Sequence, residues 1–307
     1  MSSLRDWAGR RVLLTGATGF IGSHLAQKLA IAGAELWAGV YPGDSTELIE
    51  RLPAGCVQVP IDLGDSNTIV EAVQTSHPDT VFHLAATGVT NPGIAAPHAL
   101  RINTVGAVCL LEVLKTHHPR RIILTGTCHE YGARGTVEGL DPINFYAASK
   151  IATWAFARAY WRAYQLPVVT VRLFQVYGPG QPVQSLIPAA IRTARAGDDF
   201  PMTPGDQERD FIAVTDIAEG MMAAAQAQNI AGSSIDLGTG TSHPIRAVVE
   251  KIWQLTGAQG RILPGALPYR PGVAMRLVAD AQRTAALTGW RARIGLDEGM
   301  RQTIDEF

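Results

Sequence analysis

Tyr146 and Lys150 stand four residues apart in Tyr146-Ala147-Ala148-Ser149-Lys150, a spacing that puts both on one face of one helix. A phenol titrates near ~10 and is a poor base at neutral pH, but a neighbouring ammonium favours the phenolate and brings it towards a working range. Upstream, Gly16-Ala17-Thr18-Gly19-Phe20-Ile21-Gly22 spaces three glycines evenly, directly after the apolar run Arg11–Thr15 and ahead of a helical stretch. Glycines in such a turn let the backbone approach a diphosphate, and the helix N-terminus offers free N–H groups and partial positive charge. The two patterns together point to a bound dinucleotide and a proton moved at a nearby oxygen, which is oxidoreductase chemistry.

The end of the second strand bears on the type of dinucleotide. Val40 stands where an acid would grip the adenosine ribose hydroxyls; Tyr41, Pro42 and Gly43 follow, with Asp44 further along. An acid there would repel a 2′-phosphate, so its absence removes an obstacle to NADP. No arginine in this loop attracts that phosphate either, and NADP is expected only slightly ahead of NAD. Asp62, two residues past the third strand, is expected either at the adenine amino group or as an acid near a helix N-terminus.

These groups need a scaffold, and the chain alternates strand-like and helical runs. Strands are expected at Arg11–Thr15 and at residues 36–40, 56–60, 80–84, 121–125 and 168–172. Helices are expected at 23–32, 66–74, 100–115 and 151–164, the last as part of the helix that carries Tyr146 and Lys150. Strands apolar on both faces and separated by helices predict an α/β fold, a doubly wound parallel sheet of the Rossmann kind. Past residue 172 the rhythm breaks at Gly178-Pro179-Gly180, Pro182, Pro188, Pro201 and Pro204. A smaller C-terminal substrate-binding lobe is therefore placed at 173–211 and 241–307. The dinucleotide-binding domain takes 1–172, with 212–240 returning to it. Helices 100–115 and 146–164 carry apolar residues over more than one stripe and must be covered twice, by the sheet and by a second subunit, so a homodimer is expected.

Composition excludes several classes. Of 307 residues 47% are apolar and 17% charged, which suits a packed enzyme, and 26 Lys and Arg against 27 acids leave no field of one sign for nucleic acid or membrane. Arg5, Asp6 and Arg10 break any leader-like apolar run, and three cysteines without paired spacing favour a reducing compartment, with the cytoplasm as the expected address. The eight histidines show no metal-ligand spacing, so no metal site is expected.

The motifs now on the page resemble the extended short-chain dehydrogenase/reductase family, of the NAD-dependent epimerase/dehydratase type, which acts mainly on nucleotide sugars. The likeness runs through TGATGFIGSHL (15–25), FHLAA (82–86), Asn103, TGTCHEYG (125–132), YAASK (146–150), RLFQVYGPGQ (172–181), RDFIAVTDIAEG (209–220) and TGW (288–290). It implies proton transfer by Tyr146, a nicotinamide-ribose contact from Lys150, and a hydroxyl on the substrate oxygen from Thr127, counted back from Tyr131-Gly132. It also implies cofactor contacts from Gly16, Thr18, Gly19, Phe20, Ile21, Gly22, Asp62, Leu63, Leu84, Ala85, Ala86 and Asn103. Arg209 and Arg270 match positions that hold a substrate diphosphate, and Gln175 stands where relatives often have Asn. The implied partner is a nucleoside-diphosphate sugar.

Within that family, dehydratases and the decarboxylases like them carry an acid two positions after the hydroxyl residue. Here that position is His129, with Glu130 one further on, which argues against dehydration and makes His129 a substrate-contact candidate. TGTCHEYG, the neutral end of the second strand and the RPG…TGW ending are similar to the GDP-4-keto-6-deoxymannose reductase group. The expected reaction is therefore NAD(P)H-dependent reduction of a 4-keto sugar nucleotide, with an NAD-dependent 4-epimerase as the alternative. A dinucleotide-binding regulator without turnover is disfavoured, because Thr127, Tyr146 and Lys150 are all present.

Overall fold

A computed structural model of the chain describes residues 7–91, 93–134, 139–270 and 272–307; Arg5, Asp6 and Pro271 lie outside the described residues. The first half runs β1 (Arg11–Thr15), α1 (Phe20–Ile31), β2 (Glu35–Val40), α2 (Thr46–Ile49), β3 (Val57–Pro60), α3 (Ser66–Ser76) and β4 (Thr80–His83). Then come α4 (Ala96–Ala99), a π-helical turn over Leu100–Val105, α5 (Gly106–His117), β5 (Arg121–Thr127), a 3-10 segment over Cys128–Arg134, α6 (Phe145–Tyr164) and β6 (Val168–Leu173). The remainder adds β7 (Gln175–Tyr177), α7 (Leu186–Ala196), β8 (Phe200–Met202), β9 (Glu208–Arg209), β10 (Phe211–Ala213), α8 (Val214–Gln226) and β11 (Ser234–Leu237). It closes with β12 (His243–Pro244), α9 (Ile245–Thr256), β13 (Ile262–Pro264), β14 (Arg276–Leu277), α10 (Ala281–Thr288) and α11 (Leu296–Asp305).

Seven strands form one parallel sheet in the order β11-β6-β5-β4-β1-β2-β3, the doubly wound arrangement that the alternating sequence predicts. The order reverses between β1 and β4, and in such sheets ligands bind beyond the strand C-termini at that switch. β4 and β5 are buried along their whole length, which is why apart from His83 and Arg121 at their ends both read as apolar or small runs without alternation. One face of the sheet packs Leu14 and Ile123 against Leu25 and Leu29 of α1 and Ile217 and Met221 of α8. The other packs Leu13 and Ile122 against Ile69 of α3, Leu111 of α5 and Ala157 of α6. A separate core, with Ile191, Phe211, Val248, Ile252 and Met300, sits in the C-terminal part of the chain.

The single helix expected over 100–115 is two pieces, the π-helical turn over Leu100–Val105 and α5. Gly106 N–H bonds to Arg101 O, five residues back, and a Cβ on Gly106 would lie 2.7 Å from the Leu63 carbonyl oxygen. The close approach to Leu63 and the bonds made by Asn103 hold the chain in a wider turn than an α-helix allows. The helix bearing Tyr146 starts at Phe145, where the Asn144 side chain accepts the Ala147 N–H at 2.8 Å. Among the described residues no helix is long and apolar enough to cross a membrane, and no group of His, Cys, Asp and Glu is arranged to hold a metal ion.

Candidate active site

The glycine loop joins β1 to α1, and its three glycines answer to different demands. Gly16 has φ +68°, and a Cβ there would stand 2.7 Å from Ala85 N; at Gly22 it would stand 2.0 Å from Gly16 O. Both are required by packing. Gly19 is exposed with an ordinary φ of −69°, and a Cβ there would meet only Gly16 O at 3.3 Å, a milder demand for glycine than at the other two. A diphosphate drawn to the N-terminus of α1 would add to that demand, since it must approach the backbone closely. The residues present thus fit a dinucleotide. Phe20 and Ile21 open α1 and are half-buried; Phe20 sets its ring edge-on to His24, and His24 Nε2 shares a hydrogen bond with Pro179 O at 2.9 Å.

Thr18 Oγ1 donates to Asp44 Oδ2 at 2.6 Å. The chain after β2 makes a turn, with Asp44 N–H bonded to Tyr41 O at 2.9 Å and Tyr41 N–H to Asp44 Oδ2 at 3.2 Å. That turn brings a carboxylate back to the glycine loop, although residue 40 itself is Val. Asp62 does not cap a helix: Asp65 is the N-cap of α3, and Asp62 Oδ1 accepts from Gly64 N–H at 2.7 Å in its own turn. Leu63 is buried beneath Gly106. Leu84 and Ala85 lie against β1 through Leu84 N–H to Thr15 O and Ala85 N–H to Thr15 Oγ1, both at 3.2 Å. Asn103 holds the segment that follows: its Oδ1 accepts from Thr87 N–H at 2.8 Å, and its Nδ2 donates to Thr87 O and to Ser149 Oγ, each at 3.0 Å.

Tyr146 and Lys150 are nine-tenths buried or more, on the first turns of α6. The Tyr146 ring packs with Ile94, Ala99 and Ala86, which joins it to the 84–86 segment. Lys150 Nζ lies 5.9 Å from the centre of that ring and donates to Thr125 Oγ1 at 3.4 Å. Burial depresses the ammonium to about 8, against a smaller opposing pull from Glu130. His83, between Thr15 Oγ1 at 2.8 Å and that lysine, is driven down to about 3 by burial and then by the lysine charge, so its imidazole is neutral. The Tyr146 phenol is pushed up, first by burial, then by Glu130 and Cys128. The lowering expected from Lys150 is not found: burial and the nearby Glu130 and Cys128 all act to raise the phenol.

β5 ends on the hydroxyl residue, Thr127, and the segment after it turns back onto that residue. Thr127 Oγ1 accepts the His129 N–H at 3.3 Å, and Thr127 N–H donates to Glu130 Oε1 at 2.8 Å. Glu130 is wholly buried and takes Arg172 Nε on its other oxygen at 2.7 Å. A carboxylate so engaged faces the protein and not a ligand. His129 is half-buried and held below the ordinary imidazole range by burial and then by Arg209. Arg209 is buried and spends two N–H groups on Glu208 O at 2.8 Å and Ala274 O at 2.7 Å. Gln175 heads β7 next to β10, and its N–H donates to Asp210 O at 2.9 Å, which puts its backbone beside the residue after Arg209. Arg270 is different: it is exposed, and its side chain makes no hydrogen bond or ion pair among the described residues.

A family model described as NAD dependent epimerase/dehydratase family matches residues 12–238, which span the glycine loop, the Thr127 segment and the Tyr146–Lys150 helix. The chain belongs to that family. It is 29% identical to a UDP-N-acetyl-alpha-D-glucosaminuronate decarboxylase of Bacillus cytotoxicus, over 97% of this chain and 98% of that one. It is 27% identical to a probable UDP-glucuronate 4-epimerase of Rhizobium meliloti, over 97% and 96% of the two chains. The structure superposes on that of Thermus thermophilus UDP-glucose 4-epimerase complexed with NAD at a TM-score of 0.84, with 27% identity, over 96% of this chain and 98% of that one. As a member of the epimerase/dehydratase family this protein is an NAD-dependent type of enzyme acting on nucleotide sugars.

Three parts of this epimerase/dehydratase-type site were not foreseen from the sequence. Glu130 and Arg172 form a buried ion pair behind Thr127. Tyr131 Oη donates to Asp236 Oδ1 at 2.6 Å, tying the same segment to β11. Asp210 is fully buried and accepts from Thr239 N–H and Oγ1 at 2.9 and 2.7 Å, Gly240 N–H at 2.8 Å and Ala279 N–H at 3.2 Å. Asp236 stands between Ile235 and Leu237, but Glu130 follows His129 and Asp210 follows Glu208-Arg209, and nothing local names their partners.

Proposed function

We propose that this protein is a 4-epimerase of a nucleoside-diphosphate sugar that keeps one NAD bound through its cycle. The observation that carries the reading is the Thr18–Asp44 hydrogen bond of 2.6 Å at the glycine loop. A carboxylate there repels a 2′-phosphate and accepts from ribose hydroxyls, which favours NAD and reverses the slight preference for NADP drawn from Val40. Dehydration is disfavoured from a second side: His129 replaces the acid, and the Glu130 carboxylate is engaged by Arg172 and Thr127 N–H. The names of the relatives include both uridine and thymidine diphosphate sugars, which favours a pyrimidine nucleotide.

The bound nicotinamide supplies the hydride acceptor and then the donor. Tyr146 takes the proton from the C4 hydroxyl as the carbon is oxidised and returns it after the keto sugar has turned its other face. Thr127 Oγ1 donates to the same oxygen and stabilises its developing charge. Lys150, buried beside Tyr146 and bonded to Thr125, orients the ribose. Arg209 holds the substrate diphosphate with its remaining N–H groups, alongside Gln175 and His129, and Arg270 closes on it from its exposed position. A 4-ketoreductase, favoured by the likeness of residues 125–132, would use the same groups for half of this cycle with an exchangeable cofactor.

Denaturing freshly purified protein and identifying the released nucleotide separates the two. Near-stoichiometric NAD, with UDP-glucose and UDP-galactose interconverted or their acidic or acetamido counterparts, supports the epimerase. An empty site that prefers NADPH, with reduction of a 4-keto sugar nucleotide, replaces it by the reductase. In either case Tyr146→Phe lowers turnover by roughly 10²-fold or more while cofactor content holds.

A further inference from the structure

Between α6 and the turn leading into the edge strand β11 lies a cavity of about 690 Å³. Arg158, Arg162, Arg172 and Arg283 line it, with Trp154 and Ser233, and the described lining residues include no carboxylate. Arg172 reaches the Thr127 segment through Glu130, and among the described residues none of the other side chains makes a hydrogen bond or ion pair to the residues assigned above to cofactor or sugar nucleotide. We propose that this cavity is a second ligand site, and that it binds a small phosphate ester or anhydride carrying at least two negative charges, a nucleoside diphosphate or free diphosphate.

The charge argument is local. The whole chain is nearly neutral, with 26 cationic residues against 27 acidic ones, so four guanidiniums around one space are not the overflow of a basic protein. One of them, Arg172, has a counter-charge in Glu130. Arg162 is exposed and has no ion-pair partner among the described residues. Arg158 donates to the Gly232 carbonyl, and Arg283 Nη1 to Ser234 O at 2.6 Å; these bonds fix the two stems at the rim and leave further N–H groups of each fork unused. Glu130 beside Arg172, and the buried Asp236 within electrostatic reach of Arg172 and Arg283, offset part of this charge; what remains repels, and an anion between the guanidiniums converts that repulsion into attraction.

The shape and the neutral groups fit the same occupant. The Trp154 indole lines the space, and its Nε1, which has no hydrogen-bond partner among the described residues, is buried within that wall. Its ring also lies 5.7 Å from the Arg172 guanidinium, which makes one wall flat and π-rich. A flat wall suits a nucleobase, the serine and arginine donors suit phosphate oxygens, and the volume lies in the range of small-molecule sites.

The test is calorimetric titration of inorganic diphosphate, and separately of UDP and ADP, into the NAD-loaded full-length protein at low salt. One diphosphate per chain is expected, with affinity falling about tenfold or more in Arg162→Glu and in Arg283→Glu and unchanged in Arg209→Ala. Both substituted arginines are exposed, so folding is preserved. Tighter binding of UDP or ADP than of diphosphate at the Arg162-dependent site makes the nucleoside part of the ligand; equal affinity makes the diphosphate alone the ligand. No binding of any of the three, or binding lost in Arg209→Ala and indifferent to Arg162 and Arg283, overturns the proposal. It does not rest on the epimerase reading, which Arg162→Glu leaves untouched.

Discussion

Glu130 and Arg172 meet at 2.7 Å with neither side chain more than 6% exposed, and the second carboxylate oxygen of Glu130 accepts the backbone N–H of Thr127. The ion pair therefore sets where the Thr127 hydroxyl stands. Removing one partner leaves a buried charge uncompensated, so Glu130→Ala is expected to lower stability by roughly 3–5 kcal/mol in denaturant unfolding. Glu130→Gln paired with Arg172→Met, which removes both charges, should recover most of that loss. If the doubly substituted protein is as stable as wild type yet turns over more slowly, the pair positions Thr127. If its turnover is unchanged, the pair is structural only.

Asp44 should set cofactor choice. Replacing it by Asn removes the charge facing a 2′-phosphate and keeps the acceptor for Thr18. The ratio of NADPH to NADH affinity, read by nicotinamide fluorescence, is expected to rise roughly tenfold or more. An unaltered ratio would place the adenosine ribose away from Asp44 and remove the main support for NAD.

The contrast between Asp44 and Val40 shows where sequence reading stops. The glycine loop and the Tyr146–Lys150 pair were legible because each is a local pattern: a strand–turn–helix of a few residues, and two side chains one helical turn apart. The parallel sheet was legible because its central strands are buried on both faces and so lose alternation. Contacts set by how the chain returns on itself were not legible. Thr18 and Asp44 are 26 residues apart, Glu130 and Arg172 42, Tyr131 and Asp236 105. Each pair joins different strands or loops at the C-terminal side of the sheet, and nothing in the spacing predicts it. The π-helical turn at Leu100–Val105 was hidden for a related reason, since Asn103 bonds Thr87 and Ser149, which lie outside its own helix. The rise of Tyr146 comes from burial and from Glu130 and Cys128 nearby, a setting that only the folded chain assembles.

Lys150 gives the ligand-free protein a defined pH response. Its ammonium titrates at about 8 in the fold against 10.5 in a free lysine. Between those values the unfolded chain holds the extra proton, so this group makes stability rise with pH across the window, and its cost is fully present below about 8. Burial of His83, lowered from 6.5 to about 3, acts in the same direction at the acid end, so stability falls as pH drops from about 6.5. Lys150→Met should accordingly raise the thermal midpoint at pH 7 by about a few degrees and lose that advantage near pH 10.5. A midpoint shift of equal size at both pH values would mean that packing, not the buried charge, is responsible.

The outer faces of the two helical segments carry the last prediction. Leu100 and Val105 of the π-helical turn are 52% and 48% exposed, and Phe156 and Tyr164 of α6 are 48% and 55% exposed. Large apolar side chains grouped on neighbouring elements are costly in water and mark an interaction surface. A second copy of the chain placing the same two helices against them would form a two-fold interface in which each copy covers the other. Light scattering on the eluted protein should then give twice the chain mass. Val105→Glu combined with Phe156→Glu should give the single-chain mass with the parallel-sheet circular dichroism retained, because neither residue contributes to the buried cores. A wild-type mass of one chain, or a dimer that survives both charges, would move the interface elsewhere and leave these side chains as exposed surface.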